Sequence, residues 1–193
     1  MPESEPKPIR KQLHRREGGI RFVTFSCQRR LPLLSKAGSR NVFVESLYAA
    51  RAKFGFPLYA WVVMPEHVHL MMMATEEAPL PRILQFIKQS AAQQILGRWK
   101  EMNAPILGKL ISYTGRPRFW QAGGGFDRNV RTLEELLHEI RYIHRNPVER
   151  ELCFLTESWE WSSVHWWMKK SGALPCEYPP FHEQAFANWK GFK

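Results

Sequence analysis

Tyr59-Ala-Trp-Val-Val-Met-Pro-Glu-His67-Val-His69-Leu-Met-Met-Met73 holds two apolar segments separated by one turn. The first, residues 59–63, is β-branched and aromatic, as buried strands are. Met64-Pro65-Glu66 breaks the run, because proline cannot donate to a ladder and favours turns. Val68 to Met73 begins a second strand, so the stretch predicts a hairpin at the centre of a sheet. Side chains alternate along a strand, which sends His67 and His69 to one face, ~7 Å apart along the chain. Two imidazoles on one face can ligate a divalent metal. Taken alone, the pair reads equally well as two half-buried histidines hydrogen-bonded within the sheet.

Outward from the hairpin, the chain alternates strand and helix patterns. Ile20-Arg-Phe-Val-Thr-Phe-Ser-Cys27 is a first strand, with Ile20, Phe22, Thr24 and Ser26 on one face. A loop to Ser39 precedes a helix over 41–53, which Gly55 is placed to stop. After the hairpin, Ile83, Leu84, Ile87, Ala91, Ile95 and Leu96 form an apolar stripe at helical spacing, with Lys88 and Arg98 on the other side. Residues 101–118 carry little periodicity. Phe126 to Val130 is a short strand candidate after Gly123-Gly-Gly125. Thr132 and Glu135 make a capping box for a helix beginning at Leu133, and Asn146-Pro147 is expected to end it. The order β-α-β-β-α-β-α predicts an α+β fold of the ferredoxin-like, split βαβ kind, with an antiparallel sheet and one added C-terminal helix.

The 193 residues suit one domain, read as a basic, flexible arm over 1–18, a core over 19–150 and a tryptophan-rich extension over 151–193 packed on it. A formal charge of +10 and a pI near 9.8 point to an anionic partner, nucleic acid above all. Arg10, Lys11, Arg15, Arg16, Arg29 and Arg30, with Lys88 and Arg98, are the expected DNA contacts. Cys27, Cys153 and Cys176 are scattered, which argues against a disulfide framework or a cysteine-built zinc site and fits a reducing cytoplasm. The polar N-terminus does not read as a signal peptide, and no apolar run is long enough to cross a bilayer. Trp159, Trp161, Trp166, Trp167 and Trp189 could stack on unpaired bases, but their Trp-x-Trp spacing better suits a folded cover.

On the last helix Tyr142 and Asn146 lie four residues apart, on one face, with His138 a turn before them. Met64-Pro-Glu-His-Val-His-Leu70 together with Tyr142-Ile-His-Arg-Asn-Pro-Val148 resembles the single-tyrosine HUH transposases, most closely the REP-associated tyrosine transposases. Arg118-Phe-Trp-Gln121 and Trp159-Glu-Trp-Ser-Ser163 add to the resemblance, which covers roughly residues 18–168. The glycine triplet and the longer 101–118 segment depart from the compact pattern.

The resemblance implies a metal-dependent nickase and strand transferase on single-stranded DNA carrying palindromic repeat hairpins. His67, His69 and Asn146 would hold the metal and Tyr142 would be the nucleophile, leaving a 5′-phosphotyrosine and a free 3′-OH. Two nitrogens and one oxygen suit Mg²⁺ or Mn²⁺. The metal would neutralise phosphate charge, and no nucleotide cofactor is needed because the phosphotyrosine retains the bond energy. A phenol with an ordinary pKa near 10 needs help from the metal or a base such as His138 or His144, although both read equally as exposed helix residues. Glu66 is either a support for the histidines or a surface turn residue. Two other readings stay open: a hairpin-binding protein that does not cut, and a metal hydrolase using water, for which Tyr142 is irrelevant. The resemblance favours a monomer, with a dimer exchanging the tyrosine helix as the alternative.

Overall fold

The computed structural model describes residues 19–112, 115–123 and 125–180. Its elements are β1 (Gly19–Ser26), α1 (Ala37–Phe54), β2 (Leu58–Val63), β3 (His67–Ala74), α2 (Leu80–Glu101), α3 (Ile106–Lys109), β4 (Phe126–Val130), α4 (Leu133–Glu149) and α5 (Val164–Lys169). The four strands form one sheet in the order β2-β3-β1-β4. Each neighbouring pair is antiparallel. Thus β1 and β2 run parallel with β3 inserted between them, the split βαβ arrangement that the strand and helix order predicts.

Period-two alternation divides the core between the two faces of this sheet. Val23 and Phe25 of β1 and Val68, Leu70 and Met72 of β3 face α1 and α2, with Phe43, Leu47 and Ile87 packed against them. Ile20, Phe22, Tyr59, Val62 and Met71 face the other way, toward Leu136, Ile140 and Ile143 of α4. The register sets Thr24 opposite His69 and Ser26 opposite His67, so the two histidines lie on the α4 side.

Local boundaries differ from the sequence expectation in three places. Helix α1 begins at Ala37, ahead of Ser39, where the buried Arg40 donates to the Leu34 and Ser35 carbonyls and pins the first turn. The 101–118 segment contains the single turn α3. Helix α4 passes through Pro147 to Glu149. Proline removes one N–H, but so near the C-terminus the last turn still closes through Arg150 N–H to the Asn146 carbonyl and Leu152 N–H to the Pro147 carbonyl. At the other end Thr132 accepts from Glu135 N–H, as expected, and the Glu135 carboxylate accepts from the Arg131 N–H as well as from the cap's own.

The chain after α4 covers the open edge of β2. Val63 N–H donates to the Trp161 carbonyl and Ser163 N–H to the Trp61 carbonyl. Trp159 and Trp167 indoles donate to the Val63 and Tyr59 carbonyls. Arg40 stacks on Trp161, 3.7 Å from its ring. These tryptophans close an edge that would otherwise present unpaired backbone. Trp189 lies outside the described residues. Among the described residues no helix is long and apolar enough to cross a membrane.

At the opposite edge, Gly125 lets β4 approach β1. Its φ is +84°, and a Cβ there would run into the Thr24 carbonyl oxygen, whereas one at Gly123 (φ +92°) meets nothing. Gly123→Ala should therefore cost ~1 kcal/mol for the left-handed backbone alone. Gly125→Ala should cost about 1–3 kcal/mol more for the clash. Denaturant unfolding of the two variants checks this, and equal losses would mean that β4 does not need the close approach.

Candidate active site and nucleic-acid interface

The turn Met64-Pro65-Glu66 delivers His67 and His69 to a defined place. Cys27 N–H donates to the Glu66 carbonyl and Leu34 N–H to the Pro65 carbonyl, both at 2.8 Å. Both imidazoles are almost wholly buried, and their Nε2 atoms face each other at 2.9 Å. Glu66 Oε1 lies 3.1 Å from His67 Nδ1. A carboxylate only accepts, so His67 carries its proton on Nδ1 and presents a lone pair from Nε2. The same Glu66 oxygen accepts from Arg150 at the end of α4, 2.9 Å away. Glu66 therefore ties the first histidine to the far end of the helix, which settles it as a support and not a surface turn residue.

His69 is held by β1. Its Nδ1 is 2.7 Å from Thr24 Oγ1, and its ring stacks on Phe22 with centroids 5.5 Å apart. A hydroxyl can donate or accept, so Thr24 suits either tautomer of His69. Burial pushes both histidines toward the neutral form, His69 down to about 3, with the charge of His67 adding to the effect. Neutral imidazole is the form that ligates a metal.

Helix α4 lays Tyr142 across this pair. Its ring meets His69 edge-on at 5.2 Å and Phe22 at 6.0 Å. Tyr142 is 36% exposed, so its phenol is reachable from solvent. One turn on, Asn146 is buried, and its Oδ1 has no hydrogen-bond partner among the described residues. An unpaired buried amide oxygen costs about 1–3 kcal/mol, which ligating a cation would offset. Among the described residues no group of three His, Cys, Asp or Glu side chains is arranged to hold a metal ion. The expected donors His67 Nε2, His69 Nε2 and Asn146 Oδ1 would make a nitrogen–oxygen set of the kind that suits Mg²⁺ or Mn²⁺.

The other expected residues divide. Arg29 and Arg30 stand exposed at the end of β1, beside the histidines. Lys88 and Arg98 lie on α2, across the sheet from Tyr142. Lys88 is half-buried, which lowers its pKa, and it borders a cavity of about 1120 Å³ that Arg21, Arg116 and Arg118 also line. Arg10, Lys11, Arg15 and Arg16 fall outside the described residues. His138 is exposed and touches Glu139. His144, read as either a base for Tyr142 or an exposed helix residue, is instead fully buried on the far side of α4, with Nε2 2.8 Å from Ser163 Oγ. Burial takes its pKa down to about 3, and it holds α4 to the β2 edge. Thr24 and Phe22 escaped sequence reading, since only the strand register reveals them; the face assignment of β1 was the available signal.

Comparisons with known proteins agree on one group. Residues 19–123 match the family described as Transposase IS200 like, a span that includes both histidines and ends before Tyr142. A REP-associated tyrosine transposase of Escherichia coli (strain K12) is 23% identical over 151 residues, covering 77% of this chain and 78% of that protein. A Haemophilus influenzae protein named as a REP-associated tyrosine transposase of the same kind is 23% identical over 150 residues, covering 77% and 81%. The fold matches that of a REP-associated tyrosine transposase solved bound to a REP hairpin, with a TM-score of 0.64, 19% identity and coverage of 99% and 98%.

The Thr24–His69 hydrogen bond predicts a graded effect on metal binding. Thr24→Val should weaken Mn²⁺ affinity at least about tenfold, as loss of a partner behind a ligating histidine does, and Thr24→Ser should retain it. Calorimetric titration with Mn²⁺ measures this; unchanged affinity in Thr24→Val would remove the hydroxyl from any part in the site.

Proposed function

This chain belongs to the IS200-like transposase family, and from that membership we propose that it is a divalent-metal-dependent endonuclease and strand transferase for single-stranded DNA, acting at palindromic repeat hairpins. The observation that carries the reading is the contact of Tyr142 with His69, 5.2 Å between rings, beside an unpaired buried amide oxygen. A partly exposed phenol, two neutral imidazoles and an amide oxygen at one place suit phosphoryl transfer to tyrosine better than water-driven hydrolysis, which would give the phenol no role. The hairpin substrate is supported by the structural relative described as bound to a REP hairpin.

Held by His67, His69 and Asn146, a divalent cation would supply charge neutralisation at the nonbridging oxygens of the scissile phosphate. The chain's own groups do the rest. Glu66 and Thr24 fix the ring orientations from behind. Phe22 packs against both His69 and Tyr142 and keeps the phenol over the site. Tyr142 Oη attacks phosphorus, the P–O3′ bond breaks, and a 5′-phosphotyrosine and a 3′-OH result. The phenol proton passes to solvent and the departing O3′ takes one up. Because one phosphodiester replaces another, an incoming 3′-OH can run the step backward onto a different strand.

Lys88, Arg98, Arg29 and Arg30 are assigned to the DNA backbone, with Arg10, Lys11, Arg15 and Arg16 as contacts from the segment before β1. Tyr142 meets the site of both histidines within the chain, and a monomer is the assembly proposed, with a dimer that exchanges the tyrosine helix as the alternative. A cytoplasmic setting follows from a chromosomal DNA substrate.

Incubation of labelled single-stranded repeat DNA with Mn²⁺ or Mg²⁺ tests the proposal. Wild type should form a covalent protein–DNA adduct that EDTA prevents, and Tyr142→Phe should form none. Cleavage by Tyr142→Phe would replace the tyrosine with activated water. Hairpin binding by wild type without cleavage in either metal would make the protein a recognition module.

A further inference from the structure

Five described residues other than glycine have positive φ: Arg29, Arg30, Asn103, Glu151 and Lys170. Asn103, Glu151 and Lys170 follow the ends of α2, α4 and α5, where the left-handed conformation is the ordinary way to stop a helix. Arg29 and Arg30 do not follow an α-helix. They are two consecutive left-handed residues, φ 52° and 53°, in a 3₁₀ turn directly after β1. Glycine would adopt this conformation freely, yet the chain spends it on two arginines.

The turn is held from several sides. Gln28 N–H donates to the Phe119 carbonyl, Arg29 N–H to the Gln121 side chain and Arg30 N–H to the Cys27 carbonyl. It abuts the metal-site histidines, because Ser26 is the cross-strand partner of His67 and Cys27 N–H donates to the Glu66 carbonyl. Arg30 is exposed, and among the described residues its side chain makes no ion pair or hydrogen bond. By contrast Arg150, the other cation near His67, is engaged by Glu66. Strain of this kind persists where surrounding contacts over-determine it, and functional sites are where it collects.

We infer that Arg30 is a catalytic residue, whose guanidinium binds nonbridging oxygens of the scissile phosphate and stabilises the charge that builds as Tyr142 attacks. The inference rests on the phosphoryl-transfer reading above and goes beyond the general backbone contact assigned to this arginine there. A planar, permanently charged donor set matches a phosphate in two places at once, and a donor fixed in advance loses nothing to reorganisation in the transition state.

Arg30→Gly separates catalysis from folding, since it removes the guanidinium and relieves the strain together. The measurement is the single-turnover rate of adduct formation at saturating repeat DNA and Mn²⁺, beside DNA affinity and thermal midpoint. Arg30→Gly should slow the reaction about 100-fold, the usual loss for one donor to a developing charge. Its Tm should be unchanged or higher, and the loss of DNA affinity expected from the backbone contact should be overcome at saturation while the rate defect remains; Arg30→Lys should fall between the two. A rate near that of wild type would overturn the inference. So would a defect that more DNA abolishes, which marks a binding contact, or a lower Tm, which assigns the residue to the fold. An active wild type with an active Arg30→Gly sinks this inference alone, whereas an inactive wild type sinks it together with the endonuclease reading.

Discussion

Everything at the site depends on the register between β1 and β3. With Thr24 opposite His69 and Ser26 opposite His67, both imidazoles turn toward α4 and both find a partner behind them. A slip of one residue would send the histidines to the face covered by α1 and α2, because the side-chain period of a strand is two. Several independent restraints hold the register: Cys27 bonded to Glu66, Leu34 to Pro65, and β1 flanked by strands on both sides. A central pair of strands is a rigid place to hold two imidazoles, and the helix laid across it brings Tyr142 against His69 from one face.

Helix α4 is the second requirement, and it is secured at both ends and in the middle. Thr132 caps its start, Arg150 bonds Glu66 at its finish, and His144 reaches Ser163 from its buried side. The Ser163–His144 contact has the donor and acceptor of a nucleophile and its base, but complete burial and the further bonds of Ser163 to the Trp61 backbone make it a structural fastening. The same segment closes the β2 edge. Covering that edge and holding α4 are therefore one task of the tryptophan-rich C-terminal chain, with the Trp159 and Trp167 indoles bonded to β2 carbonyls.

The two faces of the sheet carry different chemistry. The α4 face holds neutral imidazoles, an amide and a phenol, with Arg29 and Arg30 at its rim. The α2 face holds a basic cavity whose wall includes Lys88, and Asp127 and Asn129 engage Arg21 at its edge. At Gly125, just before β4, the backbone comes close enough to β1 to exclude a side chain.

Local periodicity was enough to place the four strands, the two long α-helices over the sheet and α4, and to put His67 and His69 on one face and Tyr142 and Asn146 on another. Those patterns are short-range, and each strand or helix expresses them alone. What the tertiary structure decided is nonlocal. It turned the two faces toward each other, left Asn146 Oδ1 without a partner among the described residues, put Thr24 behind His69 and Arg150 on Glu66, and buried His144 against Ser163. It also carried α4 past Pro147, because one lost hydrogen bond near a helix end is outweighed by the contacts that follow. Register, desolvation and backbone strain arise only when segments distant in sequence pack together, so no reading of residue spacing contains them.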